Sequence, residues 1–475
     1  MSGTAGPANN TIELFRKKMA GEGLPRLVLD TFERYYSLVA KGDTGCIREK
    51  DIEPLAPADC IASGDLETYH NEGHKAAGEA VILKLNGGLG TTMGLDGPKG
   101  LLKVRGEKTF LDLILCQRAA ISSACGHDVP LLFMNSFNTD TRTREFLADA
   151  GIRQNSPPLT FVQHKFPKVL KDTLAPAAWP QNPRLEWNPP GHGNIYTALV
   201  TTGILKNLLA RGIRYAFISN IDNLGASLDP RLLGYFAAER IPFMMEVVER
   251  TEMDKKGGHL GRLESGRLVL REIAQTAPDE RDLFQDIRRH RFFNSNNIWI
   301  NLEHLESLLA AAGGVLDLPV IRNEKHLDPR DESSPRVLQL ETAMGAAIGM
   351  FDGAQAVRVP RIRFSPVKRC DELLVAWSDY YVMDDNCEFS INPRRGAGHV
   401  NVQLDPAYFS TVDRMIEHFP HGAPSLVDCR SLLVEGDVRF GKDIILRGDV
   451  RITSRGSAQA VLADGTTVEG ERVLA

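Results

Sequence analysis

Residues 80–102 read AVILKLNGGLGTTMGLDGPKGLL, and this stretch decides what kind of fold the chain adopts. Val81, Ile82, Leu83 and Leu85 form an apolar run that stops abruptly at Asn86, Gly87, Gly88 and Gly90. A buried parallel strand looks like this where it opens into a glycine-rich loop. Glycines without Cβ let the backbone approach a ligand closely and turn several N–H groups toward phosphate oxygens or the edge of a base. Lys99 adds a positive charge a few residues on, held after the restrictive ring of Pro98. Together these features describe a phosphate site. Counting excludes two familiar phosphate loops: Gly88, Gly90 and Gly94 space as G-x-G-x-x-x-G, one residue too long for the dinucleotide fingerprint, and no G-x-x-x-x-G-K-[ST] occurs.

Helical and strand patterns alternate downstream. Residues 110–124 and 139–150 read as helices, and 129–134, 159–163 and 213–218 as short apolar strands. Alternation at this spacing predicts an α/β fold with a parallel sheet covered by helices on both faces. Ligands of such sheets collect beyond the carboxyl ends of the strands, so the residues just after each run matter most. Gln163 follows one run, and taken alone it means little, since most glutamines at strand ends are simply solvated. Asp222 follows another, where a carboxylate suits Mg²⁺, an ion that completes its shell with phosphate and water. Helix capping, the other role open to Asp222, is better filled by Asp229 before Pro230. In between, Pro189, Pro190, Gly191 and Gly193 hold His192 in a rigid turn before a helix, placed to donate to a phosphate or a sugar hydroxyl.

Upstream, residues 1–10 are small and polar and are expected to lack structure. Ile12, Phe15 and Met19, then Leu27, Val28, Phe32, Tyr35, Tyr36 and Val39, recur at helical spacing, which predicts two amphipathic helices packed on the outside of the next domain. Beyond about residue 392 the composition changes. Gly436-Asp437-Val438-Arg439 recurs as Gly448-Asp449-Val450-Arg451, and Val438, Ile444 and Val450 keep a six-residue spacing. That period predicts a left-handed β-helix, too short to stand alone.

The 475 residues suffice for two or three domains, with 43% hydrophobic and 25% charged residues and a formal net charge of -5. Such a balance argues against a general polyanion binder, so nucleic acid is not an expected partner. Seven scattered cysteines, an odd number without a C-x-x-C pair, predict neither a disulfide framework nor a structural zinc site. The N-terminus lacks an apolar leader and no apolar run is long enough to span a bilayer. A cytoplasmic protein without membrane contact is the expectation.

Residues 84–99 resemble, almost position for position, the K-L-N-G-G-L-G-T-x-M-G-x-x-x-P-K motif of the long-chain, eukaryotic-type UTP:glucose-1-phosphate uridylyltransferases, also called UDP-glucose pyrophosphorylases. The turn around His192 resembles that family's P-P-G-H-G-[DN] loop, and Lys256-Gly257-Gly258 its K-G-G loop. Residues 293–299 are similar to F-N-x-N-N-[IL]-W, and 339–347 and 363–368 match further family segments. The resemblance covers roughly residues 47–377. It implies a Rossmann-like (GT-A-like) nucleotidyltransferase with a mixed, mainly parallel sheet, divided into a helical segment at 1–75, a catalytic domain at 76–391 and a C-terminal β-helix at 392–475.

The same resemblance implies residue roles. Leu85, Asn86, Gly87, Gly88, Lys99, Gln163, Gly191 and Asn220 would contact nucleotide; His192, Asn220, Gly258, Asn297 and Glu341 would contact sugar; Lys99, Lys368 and His192 would be catalytic; and Asp222 would hold Mg²⁺. The implied reaction converts UTP and glucose 1-phosphate reversibly to UDP-glucose and pyrophosphate, and the short C-terminal module is expected to pack either on the catalytic domain or on another subunit, the latter giving homo-oligomers. Two other readings stay open from sequence: a broad-specificity UDP-sugar pyrophosphorylase, and a non-catalytic nucleotide-sugar sensor. A sensor would be expected to lose Lys99, Asp222 or Lys368, and all three are present.

Overall fold

Strand β1 (Ile61–Ala62), β2 (Ala80–Asn86), β3 (Leu131–Asn135), β4 (Thr160–Val162), β5 (Tyr215–Asn220), β6 (Phe243–Glu249), β7 (Phe292–Asn301) and β8 (Gln355–Arg358) form the main path of one sheet in the order β1-β8-β6-β7-β5-β2-β3-β4. All neighbours along it run parallel except β7, which is antiparallel to both β5 and β6. This computed structural model describes residues 7–43, 45–152, 159–396, 398–456 and 458–474. Side chains of β2 alternate between two cores: Ala80 and Ile82 pack with helices Phe110–Cys125 and Pro230–Ala238, while Val81, Leu83 and Leu85 pack with Ile195–Thr201 and Leu302–Ala311. Helices therefore cover both faces, as the alternating pattern predicts. Asp229 caps the helix it precedes, its Oδ1 accepting from Arg231 N at 2.9 Å.

Helices α1 (Pro7–Gly21) and α2 (Arg26–Ala40) form the expected amphipathic pair. Residues 1–6 lie outside the described residues, and 7–10 belong to α1 rather than to an unstructured tail. The stripe of Phe15, Met19, Phe32, Tyr35 and Tyr36 is buried against Phe166, Val169, Trp187 and Leu340. The first 75 residues are not only helical, however. Ile52–Pro54 pairs with His259–Leu263, and β1 pairs with β8, so this segment also supplies two short strands to the main sheet.

Past residue 400 the chain coils. Asn401–Leu404, Ser425–Glu435, Ile445–Ser454 and Thr467–Leu474 pair parallel in sequence order, and Val438–Phe440 pairs parallel with Ala460–Leu462. Val438, Ile444 and Val450 are all buried, as their spacing requires. The core of this module is continuous with one core of the main sheet, through Phe409, Met415, Phe419 and Leu426. No helix among the described residues is long and apolar enough to cross a membrane.

One sequence expectation is overturned. Cys116, on the helix Phe110–Cys125, and Cys387, in the turn after Tyr381–Met383, are joined as a disulfide with Cα atoms 6.0 Å apart. The pair is separated by 271 residues, so no local spacing announced it.

The ring of Phe32 lies 4.9 Å from Phe15 and 5.3 Å from Phe166, fully inside the helix-pair interface. Phe32→Ala should cost about 3–5 kcal/mol through the lost burial and the cavity left behind. The expected result is a lower urea midpoint and new protease cleavage within α1 and α2.

Candidate active site

The site grows from the ends of β2 and β5. Their parallel register sets Leu85 beside Asn220, so the loops that follow leave the sheet side by side. Leu85 is buried, and its carbonyl accepts from Ile221 N at 3.0 Å, tying one loop to the other. Asn86 is fully buried, its Nδ2 donating to Asn135 Oδ1 and Thr143 Oγ1, both at 2.9 Å. Its amide nitrogen is therefore committed to scaffold, its main-chain carbonyl accepts from Thr139 Oγ1 at 2.7 Å, and its Oδ1 is buried without a hydrogen-bond partner. Gly87 lies under Gln163: a Cβ there would sit 2.5 Å from Gln163 Nε2. Gly88 faces open space. The loop closes on itself where Lys99 N donates to Gly88 O at 3.2 Å, and its tip at Gly94, with φ of +73°, rests on Thr411 of the C-terminal module.

Lys99 then turns its charge inward. Its Nζ donates to Asp222 Oδ2 at 2.7 Å, and both side chains are largely covered. The other carboxylate oxygen, Asp222 Oδ1, is buried without a hydrogen-bond partner. A buried unpaired carboxylate oxygen is costly, and one beside a phosphate-binding loop fits a Mg²⁺ that draws its remaining ligands from phosphate and water. Among the described residues no cluster of three or more His, Cys, Asp or Glu side chains could hold a metal.

The segment 363–368 is strapped to the Asp222 loop. Val367 N donates to Asp222 O at 3.0 Å, Leu224 N to Ser365 O at 3.2 Å, and Ser365 N to Asn223 Oδ1 at 2.9 Å. Lys368, at its end, is exposed on the wall of a cavity of about 460 Å³ that also takes in Gly258, Glu272, Asn294 and Asn296. Its charge reaches His192, whose imidazole is held neutral, its pKa depressed to about 4 first by burial and then by Lys368. Met344 N donates to His192 Nδ1 at 2.9 Å, which fixes the tautomer and leaves Nε2–H as the donor. Gly191 has φ of +77°, and a Cβ on it would meet Thr342 O at 2.5 Å, so this turn demands glycine twice over.

Two residues expected at the sugar lie off the wall of this cavity. Asn297 is fully buried, its Nδ2 donating to Glu246 Oε2 at 2.9 Å and to Arg363 O at 3.1 Å, so it has no reach into the cavity. The asparagines of that turn at the cavity wall are Asn294 and Asn296. Glu341 lies against Gly191 and bonds Asn323, outside the wall of that cavity. Conversely, sequence reading missed Glu272. Its carboxyl lies 2.5 Å from where a Gly258 Cβ would stand, and burial raises its pKa against the nearby charge of Lys368. Its only local signal was Gln275 three residues on, whose Oε1 accepts from Glu272 N, as in an ordinary cap.

The depressed His192 pKa carries a pH signature. Below the ordinary value of 6.5 the unfolded chain gains a proton that the folded imidazole refuses until about pH 4, so its contribution is complete above 6.5 and is lost as pH falls through that window. In urea melts between pH 7.5 and 4.5, His192→Gln should lose less of its midpoint than the parent. Equal slopes would contradict a neutral buried His192.

The profile of the family described as UTP–glucose-1-phosphate uridylyltransferase matches residues 29–447. The enzyme of that name from Solanum tuberosum is 38% identical over 91% of this chain and 88% of its own length. The one from Saccharomyces cerevisiae is 37% identical over 92% and 86%. A crystal structure of a mutant UDP-glucose pyrophosphorylase from Leishmania major in complex with UDP-glucose superposes with a TM-score of 0.91 at 41% identity, covering 98% of this chain and 99% of that one. By sequence over most of its length, and by fold, the chain belongs to the family of eukaryotic-type UTP–glucose-1-phosphate uridylyltransferases.

Proposed function

We propose that this chain catalyses the reversible reaction of UTP and glucose 1-phosphate to UDP-glucose and pyrophosphate. The observation that carries the proposal is the Lys99–Asp222 pair with its unpartnered Oδ1, set between a glycine loop and the cavity holding Lys368. The names of the relatives point to the same substrates.

In this reading an oxygen of the sugar phosphate attacks the α-phosphorus of UTP in line, the bond from that phosphorus to the bridging oxygen breaks, and pyrophosphate departs with the electron pair. The attacking phosphate is already ionised near neutral pH, so no protein base is needed, and the barrier is repulsion between anions. Gly87, Gly88, Gln163 and Gly191 hold the uridine, with Leu85 and Asn86 shaping the loop beneath it. Lys99 and Lys368 offset phosphate charge from two sides, and His192 donates through Nε2–H to a phosphate or sugar oxygen. Asn220, Gly258, Glu272 and the cavity asparagines receive the hexose hydroxyls. Asp222 would hold Mg²⁺, which supplies further charge neutralisation on the phosphates.

The C-terminal coil supports a left-handed β-helix: Leu432 pairs with Val450, three six-residue steps along the chain. We retain catalytic and C-terminal domains divided near residue 392, with the helical N-terminal segment attached to the former and self-association through the coil. Five of the seven cysteines are free thiols, which supports a cytoplasmic setting, while the Cys116–Cys387 disulfide weighs against it.

The test is pyrophosphate release with Mg²⁺, crossing UTP and TTP against glucose, galactose and N-acetylglucosamine 1-phosphates. Release chiefly with UTP and glucose 1-phosphate is expected, and comparable release across the sugars would overturn the narrow specificity. Lys99→Ala should lower kcat on the order of 10²-fold or more; near-normal turnover of a folded variant would remove Lys99 from the mechanism.

A further inference from the structure

Glu246, in the middle of β6, is fully buried, and its carboxylate is saturated. Oε1 accepts from Arg363 Nη2 at 2.6 Å and Trp299 Nε1 at 3.0 Å, while Oε2 accepts from Arg363 Nε at 2.7 Å and Asn297 Nδ2 at 2.9 Å. The β6–β7 register breaks at this point: Met245 pairs with Ile298 and Val247 with Asn294, so Glu246 opposes three residues. A bulge of this kind re-aims side chains beside a functional site. Here Asn296, with φ of +59°, goes to the cavity wall and Asn297 turns inward to Glu246.

The network continues to the reacting groups. Arg363 O accepts from Asn223 Nδ2 at 2.9 Å and from Asn297 Nδ2 at 3.1 Å, and Asn223 Nδ2 also donates to Asn297 Oδ1 at 3.2 Å. Asn223 adjoins Asp222, and Arg363 opens the segment that ends in Lys368. We propose that Glu246 and Arg363 are positioning residues: their buried bidentate ion pair, through Asn223 and Asn297, fixes the Lys368 segment relative to the Asp222 loop. This rests on the uridylyl-transfer reading only for its kinetic consequence. A bidentate guanidinium–carboxylate pair has one geometry, which a lysine cannot reproduce, and catalysis by positioned charges loses about 10²-fold for a displacement near 1 Å.

The test uses the full chain carrying Glu246→Gln or Arg363→Lys. Because removing the charge of one partner in a buried pair is strongly destabilising, Arg363→Lys, which keeps the charge and drops the fork, is the primary variant. By hydrogen exchange, segments 221–226 and 363–369 should lose protection about tenfold or more, with β2 and β3 unchanged. Turnover should fall roughly 10- to 100-fold while KM for UTP, set by the glycine loop and Gln163, moves by less than about threefold. Unchanged exchange in those two segments, or parental kcat in a folded Arg363→Lys protein, overturns the inference. The exchange result decides it even if the parent protein releases no pyrophosphate, an outcome that would instead refute the proposed reaction.

Discussion

Lys99 and Asp222 meet at 2.7 Å across the ends of two neighbouring parallel strands, and the catalytic half of the molecule is arranged to keep them there. The pairing of Leu85 with Asn220 aligns the two loops, and the Ile221 amide on the Leu85 carbonyl binds one to the other. The ion pair holds a positive charge beside the glycine loop without leaving a covered ammonium uncompensated. Each side chain supplies the countercharge that the other's burial requires.

Lys368 arrives by a different route, from a segment bonded edge to edge with the Asp222 loop and not from a strand end of the central parallel run. That difference explains the layered character of the site. One side is built from tight backbone turns where glycines at 87 and 191 leave no room for a side chain. The other is a cavity with longer polar side chains around it. Rigid backbone suits a base that must be read at its edge, whereas a hydroxylated ring needs several separately aimed donors and acceptors.

Much of this was legible in the sequence because its signals were local. An apolar run broken by glycines located β2 and its loop, and Asp229 before Pro230 announced a helix start that the structure confirms. The helical stripe from Phe15 to Tyr36 was likewise periodic, and it is buried as expected. What failed to read out depended on direction or distance. Asn297 sits in a motif, but a bulge decides which asparagine of the turn points inward, and no period encodes that. Glu341 lies beside Gly191 through a contact 150 residues long in sequence, and Cys116 finds Cys387 across still more chain. Glu272 gave only the pattern of a cap, because its neighbour Gly258 comes close through strand pairing between 259 and 271.

The sheet's outer edge sets a condition on how the molecule is made. Ile61 and Ala62 find their hydrogen-bonding partners at Val357 and Arg358, so the two-residue strand near the start of the chain waits for one nearly three hundred residues later. During synthesis that edge has no partner until most of the polypeptide has left the ribosome. Parallel contacts of such long sequence separation form slowly, since loop closure precedes any reward. The nascent chain therefore carries an unpaired edge and a partly uncovered apolar face for tens of seconds at ordinary elongation rates of about 5–20 residues per second.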